Sequence, residues 1–144
     1  MSPDCVVVAS VGIKLFVREG LSERAEALFH HLADKNPPRF FVPDHFSIEC
    51  TNVLWKYGRH SGHDRETAQQ DLGDLRLLPL QSTSTWGLVE GSLEVGLRCE
   101  ISAYDAAYLV LAERFGVPFV TADRTLFTKA TKASYDVRWL GDWP

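Results

Sequence analysis

Apolar residues along this chain fall into two rhythms, short unbroken runs and stripes recurring every three or four positions, and the two alternate from end to end. Unbroken runs fit strands buried on both faces, whereas the three-to-four spacing fits helices with one apolar side. "CVVVA", residues 5–9, predicts a first strand that leads into a short helix. "SERAEALFHHLADK" then sets Ala25, Leu28, Phe29, Leu32 and Ala33 on one stripe, with Ser22 as N-cap and Pro37 and Pro38 closing the helix. "RFFVP" predicts a second strand. Pro43 and Asp44 suit the start of a helix whose apolar face holds Phe46, Val53, Leu54 and Tyr57 and which "GRHSGH" ends. From Asp64 a polar helix runs to "LRLLPL", the expected third strand. Trp86, Val89, Leu93 and Leu97 mark the next amphipathic helix, up to Arg98. "SAYDAAYLVLAERFG" is helical with Gly116 as its stop, and "VPFVTAD", "RTLFTKA" and "YDVRWL" supply a strand, a short helix and a final strand.

Strands alternating with helices imply right-handed crossovers and a parallel sheet covered on both sides, an α/β architecture whose sites form at the carboxyl ends of the strands. With 144 residues and 45% hydrophobic content, residues 1–144 fit one domain; a chain of this size buries about two-thirds of its unfolded surface. No stretch approaches the roughly 20 apolar residues of a membrane span, and the N-terminus lacks signal-peptide character, so a cytoplasmic location without membrane association is expected. Cys5, Cys50 and Cys99 are odd in number and lack C-x-x-C spacing, which suggests buried thiols rather than disulfides or zinc. A net charge of −4 argues against a broad basic face, so any nucleic acid must be gripped locally.

That rule about strand ends directs attention to acids in costly places. Glu49 lies in "FSIECTNVLW", a core-like segment, with Asn52 a turn further along the same side. Asp105 follows Ser102 at capping-box spacing, and Asp123 sits between a strand and a helix, where an N-cap is expected. Each has a structural account taken singly: a snorkelling stem for Glu49, caps for the other two. Their coincidence at one sheet edge favours convergence. Gathered carboxylates need protons or a cation, and an oxygen-only set suits Mg²⁺ or Mn²⁺, whose typical chemistry is phosphoryl transfer. Ser10 and Thr121, at neighbouring strand ends, are either supporting hydroxyls for such a site or ordinary turn and cap residues.

"VASVGIKLF", "ECTNVL", "SAYDAAYLVLAERFGVPFVTAD" and "VRWL", in this order and spacing, resemble PIN-domain proteins, especially VapC-type toxins, over almost the whole chain. The most specific piece is Y-D-A-x-Y-L-x-L-A followed by V-T-A-D. The resemblance implies a three-layer α/β/α sandwich around a parallel, roughly five-stranded sheet. It also implies a Mg²⁺-dependent ribonuclease that forms a homodimer and pairs with an antitoxin protein. It places Glu49, Asp105 and Asp123 on three acidic metal-site positions, with Ser10 and Thr121 on the accompanying hydroxyls. It also implies an aspartate at the end of the first strand, where this chain has Val8. Asp4 shares strand parity with Val8 but lies about 13 Å towards the other end. Three accounts of Val8 stand: water or another residue completes the site, the protein is an inactive module that binds RNA or a partner, or the substitution silences a toxic enzyme. RNA cleavage is the expectation, with Asp105 or Asp123 orienting the water.

Other assignments carry less. A haloacid-dehalogenase phosphatase needs D-x-D after the first strand, and a receiver domain needs an aspartate after a central strand and a lysine at a later strand end; neither arrangement is present. His60 and His63 lack a third ligand nearby and read as exposed helix-end residues. Lys56, Arg59, Arg65 and Arg124 are candidates for steering phosphates, though scattered surface charge explains them equally. The Trp86 stripe and "AAYLVLA" read as core or as a dimer surface.

Overall fold

The computed structural model describes residues 3–60 and 64–143. Five strands form one sheet in the order β3-β2-β1-β4-β5, and every neighbouring pair is parallel. β1 (Cys5–Val7) lies at the centre with all three residues fully buried, which is why it reads as an unbroken apolar run. β2 (Phe40–Pro43) and β4 (Phe119–Thr121) flank it and are buried along their lengths. Helices cover both faces, giving the expected α/β/α sandwich with seven α-helices among the described residues.

The sheet's edges depart from expectation. The third strand is β3 (Gln81–Thr83), not residues 75–80. As an edge strand with exposed Gln81 and Ser82 it needs no apolar run. The leucines before it belong elsewhere. Leu75 is buried near the end of α4 (Arg65–Arg76), Leu77 is 80% exposed, and Leu78 and Leu80 pack on the core from the connection. At the other edge, β5 (Val137–Trp139) is also only half-buried.

Ser22 is not an N-cap. Leu21 occupies that position in a left-handed conformation, and Ser22 begins α2 (Ser22–His30). Its buried hydroxyl instead accepts the Glu19 N–H (3.0 Å) and donates to the Val17 carbonyl, tying down the preceding loop. Ala25, Leu28 and Phe29 form the buried stripe, Leu32 packs beside it, and Ala33 is exposed.

α5 (Val89–Cys99) turns the Trp86 stripe outwards. Trp86, in a 3-10 turn before the helix, is 84% exposed, and Val89, Leu93 and Leu97 are exposed with it. The inward side is Leu88, Ser92 and Val95, lying on α6 (Ala103–Phe115). "AAYLVLA", by contrast, is core. α6 is sandwiched between the sheet and α5, so its residues are buried nearly all round. Its Gly116 stop adopts the left-handed conformation with φ 64°, as read. Cys5 and Cys50 are buried, free thiols pushed up to about 12 by burial, whereas Cys99 is only partly buried. His60 ends α3 (Phe46–His60), and His63 lies outside the described residues. Among the described residues no helix is long and apolar enough to cross a membrane.

Candidate functional site

β1 runs out at Val7, and Val8 then takes an extended conformation that starts α1 (Ala9–Gly12), its carbonyl accepting the Val11 and Gly12 N–H groups. Gly12 permits the next step. A Cβ there would meet the Phe46 ring at 2.7 Å, so only glycine lets α3 pack this closely on α1. That contact lays the first turn of α3, carrying Glu49, beside the end of β1.

A cleft of about 720 Å³ opens at this carboxyl edge, lined by Val8, Ser10, Glu49, Asn52, Asp105 and Asp123 among others. Four elements meet there: α1, α3, α6 and the turn that follows β4. The residues singled out by the strand-end rule thus lie around one cleft. Val8 is 4% exposed and forms an apolar part of the wall. Ser10 contributes a buried hydroxyl with no hydrogen-bond partner.

Both capping assignments hold. Asp105 donates its N–H to Ser102 Oγ (3.1 Å) in the first turn of α6. Asp123 Oδ1 accepts the Leu126 N–H (3.1 Å) at the head of α7 (Arg124–Lys132). Fully buried Thr121 accepts the Asp123 N–H at 3.0 Å and so fixes the turn that presents this acid. Capping does not make the acids comfortable. Burial first, then the neighbouring Glu49 and Asp123 carboxylates, raises Asp105 above the usual aspartate range, against smaller opposing effects of Ser102 and His45.

Glu49 is gripped from two sides by residues that the sequence did not assign to the site. Tyr108 donates its O–H to Glu49 Oε1 at 2.6 Å, and His45 Nε2 lies 3.3 Å from the same oxygen. Burial, reinforced by that bond, pushes the Tyr108 phenol up, so it acts as a donor. His45 Nε2 also approaches the Tyr104 carbonyl at 3.0 Å, which requires a proton on that nitrogen, and its ring meets Tyr108 edge-on. The signals were faint: His45 stands four residues before Glu49, and Tyr108 is hidden in the apolar run of α6.

The donor set is entirely oxygen, which suits a hard divalent cation. It is not a closed cage: among the described residues no three His, Cys, Asp or Glu side chains are grouped to hold a metal ion. One oxygen of Glu49 faces Tyr108 and one of Asp123 faces the α7 N–H. Mg²⁺ commonly binds through one or two carboxylates and keeps several waters, so the residues fit an open, water-rich site. Asp4 takes no part. At the amino edge it accepts the Arg39 N–H (2.7 Å) and pairs with the Arg39 guanidinium (2.9 Å).

The four basic candidates do not form one patch. Arg59 and Arg65 line a groove between α3 and α4, where Arg59 lies 4.8 Å over Trp55. Lys56 is exposed on α3, and Arg124 turns to Trp139.

A parallel sheet with an acid-lined cleft at its carboxyl edge agrees with the family match: the chain belongs to the PIN-domain family, whose model covers residues 5–132. A relative is ribonuclease VapC3 of Pyrobaculum aerophilum, 30% identical over 128 residues, spanning 86% of this chain and 92% of that protein. Of the solved structures, PAE2754 from Pyrobaculum aerophilum matches with a TM-score of 0.67 at 24% identity, over 88% of this chain and 79% of its own. VapC20 of Mycobacterium tuberculosis, described as a toxin cleaving the sarcin–ricin loop, matches with a TM-score of 0.67 at 17% identity, over 92% and 96%. A chain of a toxin–antitoxin complex from Klebsiella pneumoniae gives 0.60 at 15%, over 86% and 90%. At these identities the structural likeness establishes a shared fold.

Proposed function

We propose that this chain is a VapC-type endoribonuclease that hydrolyses RNA phosphodiesters using Mg²⁺ or Mn²⁺ held by Glu49, Asp105 and Asp123. The observation that carries the reading is the meeting of three acids in one cleft, with Asp105 raised by burial and then by the other two, in a relative of a VapC ribonuclease. When bound, the cation supplies positive charge that orients and acidifies water and stabilises the leaving oxygen. The chain's residues do the positioning. Tyr108 holds one Glu49 oxygen and leaves the other available, while Thr121 steadies the turn bearing Asp123. Asp105 or Asp123 orients the attacking water, and the unpartnered Ser10 hydroxyl offers a hydrogen bond to a water or phosphate oxygen. Asn52, on the cleft's rim, supports the same shell.

Val8 favours a second reading, an inactive module binding RNA or a protein partner. An apolar side chain stands where the resemblance implies an acid, and the remaining acids make no closed group. The first reading also carries a cytoplasmic location and an antitoxin partner, supported by the toxin–antitoxin complex among the structural matches. The exposed stripe of Trp86, Val89, Leu93 and Leu97 supports a homodimer.

Calorimetry with Mn²⁺ on this chain and on Asp105→Asn, both checked for folding by circular dichroism, tests the site, followed by an RNA-cleavage assay with the same cation. Binding and cleavage by the parent that are lost in the variant are expected. Binding of RNA with no cation uptake and no cleavage would select the inactive module.

A further inference from the structure

Arg124 follows Asp123 directly in the chain, and its guanidinium lies over the Trp139 ring, 3.8 Å from the ring centroid. Phe127, one turn further along α7, meets the same ring edge-on at 5.9 Å and is 5.7 Å from the guanidinium. Arg124 therefore stacks on Trp139, with Phe127 edge-on beside the pair. The position of this stack is fixed by the sheet: Trp139 pairs in register with Thr121, the residue that anchors Asp123, and neighbouring strands are about 4.8 Å apart. The stack thus stands one strand away from the acid cleft.

Arg124 is exposed and, among the described residues, makes no hydrogen bond or ion pair. Arg39, Arg98 and Arg138 differ, because their guanidinium groups are committed to Asp4, Tyr135 and Asp136. A guanidinium backed by tryptophan on one side and open to water on the other offers a flat, weakly hydrated, cationic surface with its N–H donors free. Such a surface suits a nucleobase stacked on its open face, with the base's flanking phosphate within reach of the same charge. In a chain of net charge −4 a local grip of this kind is what RNA binding requires.

We propose that Arg124, backed by Trp139 and Phe127, is a stacking subsite for an unpaired nucleobase of the RNA, next to the phosphodiester held at the acid cleft; this rests on the nuclease reading. Arginine is needed for its plane as well as its charge, so lysine does not replace it.

The test is fluorescence anisotropy with a short labelled single-stranded RNA in Ca²⁺, compared with the same RNA made abasic at every position, for the parent chain, Arg124→Lys, Trp139→Leu and Trp139→Phe. Loss of about tenfold in affinity for the intact RNA is expected in Arg124→Lys and Trp139→Leu, with Trp139→Phe close to the parent and the abasic RNA insensitive to all three. Unchanged binding by Arg124→Lys and Trp139→Leu, or equal losses on the abasic RNA, overturns the stacking subsite and leaves the nuclease reading intact. Failure of the parent chain to bind either RNA overturns both.

Discussion

Asp4 at the amino edge of the sheet and Asp105 at its carboxyl edge are both partly buried, yet their proton affinities move in opposite directions. The Arg39 N–H, joined by the Arg39 side chain, holds Asp4 below the usual aspartate range against a smaller effect of burial. Burial and two neighbouring acids hold Asp105 above it. The amino edge supplies its carboxylate with a cation. Among the described residues the carboxyl edge pairs no lysine or arginine with Glu49, Asp105 or Asp123. Fold stability accounts for the first acid, whereas burial and neighbouring like charge oppose the second.

Adding a fourth acid sharpens the contrast most. Val8→Asp puts a carboxylate into the cleft wall, and metal-dependent RNA cleavage is expected to rise about a hundredfold, the scale on which misplaced reacting groups cost rate. The same change buries an unpaired charge beside three others, so the metal-free variant should melt below the parent and recover when Mn²⁺ is added. Cleavage assays and thermal melts with and without Mn²⁺ check both halves. A folded Val8→Asp protein with no gain in cleavage would show that Val8 does not limit the chemistry.

Asp105→Asn removes the strain instead. A group whose folded-state pKa is raised contributes stability that is complete below its unfolded pKa and lost as pH rises through the folded one. At neutral pH the ionised Asp105 is therefore a burden that asparagine lacks. The metal-free variant should be more stable by about 1 kcal/mol, raising Tm by about 3 °C, while losing cation binding. The gain should shrink as pH falls into the carboxylate range, where the parent's Asp105 is protonated. Melts from pH 7 down to about 4 decide this; a variant less stable than the parent throughout would mean that the acids do not oppose one another.

How much of this was legible follows from where each residue lies. β1, β2 and β4 announced themselves because strands buried on both faces must be apolar throughout. β3 did not, because an edge strand carries no such constraint and a nearby run of leucines was more conspicuous. The α5 stripe was visible, but periodicity cannot say which side of a helix meets the core when that helix lies on α6 rather than on the sheet. Ser22 failed as a cap because left-handed Leu21 took that place. That Glu49, Asp105 and Asp123 share one cleft was legible through the strand-end rule, and the helix-start roles of Asp105 and Asp123 through their capping spacings. His45 and Tyr108 were not: the bond from Tyr108 to Glu49 joins residues 59 apart in sequence, which only the folded chain brings together.

Asp4→Asn is the smallest of these changes and isolates the amino edge. Its folded-state pKa is lowered, so its contribution is present above the unfolded pKa and lost as pH falls through the folded one. The side chain is 29% exposed and shares its ion pair with a largely exposed Arg39, so solvent screening limits the loss to about 0.5 kcal/mol, or roughly 1–2 °C in Tm. Asparagine still accepts the Arg39 N–H, which keeps the loss below that of alanine. The deficit should appear at neutral pH and fade only as pH falls below the ordinary aspartate range, a lower window than that of Asp105→Asn and with the opposite sign. Because the two edges share no partner, a double Asp4→Asn, Asp105→Asn protein should melt at the sum of the two shifts. Cation binding should follow Asp105 alone; a change in Mn²⁺ affinity in Asp4→Asn would mean that the two ends of the sheet are coupled.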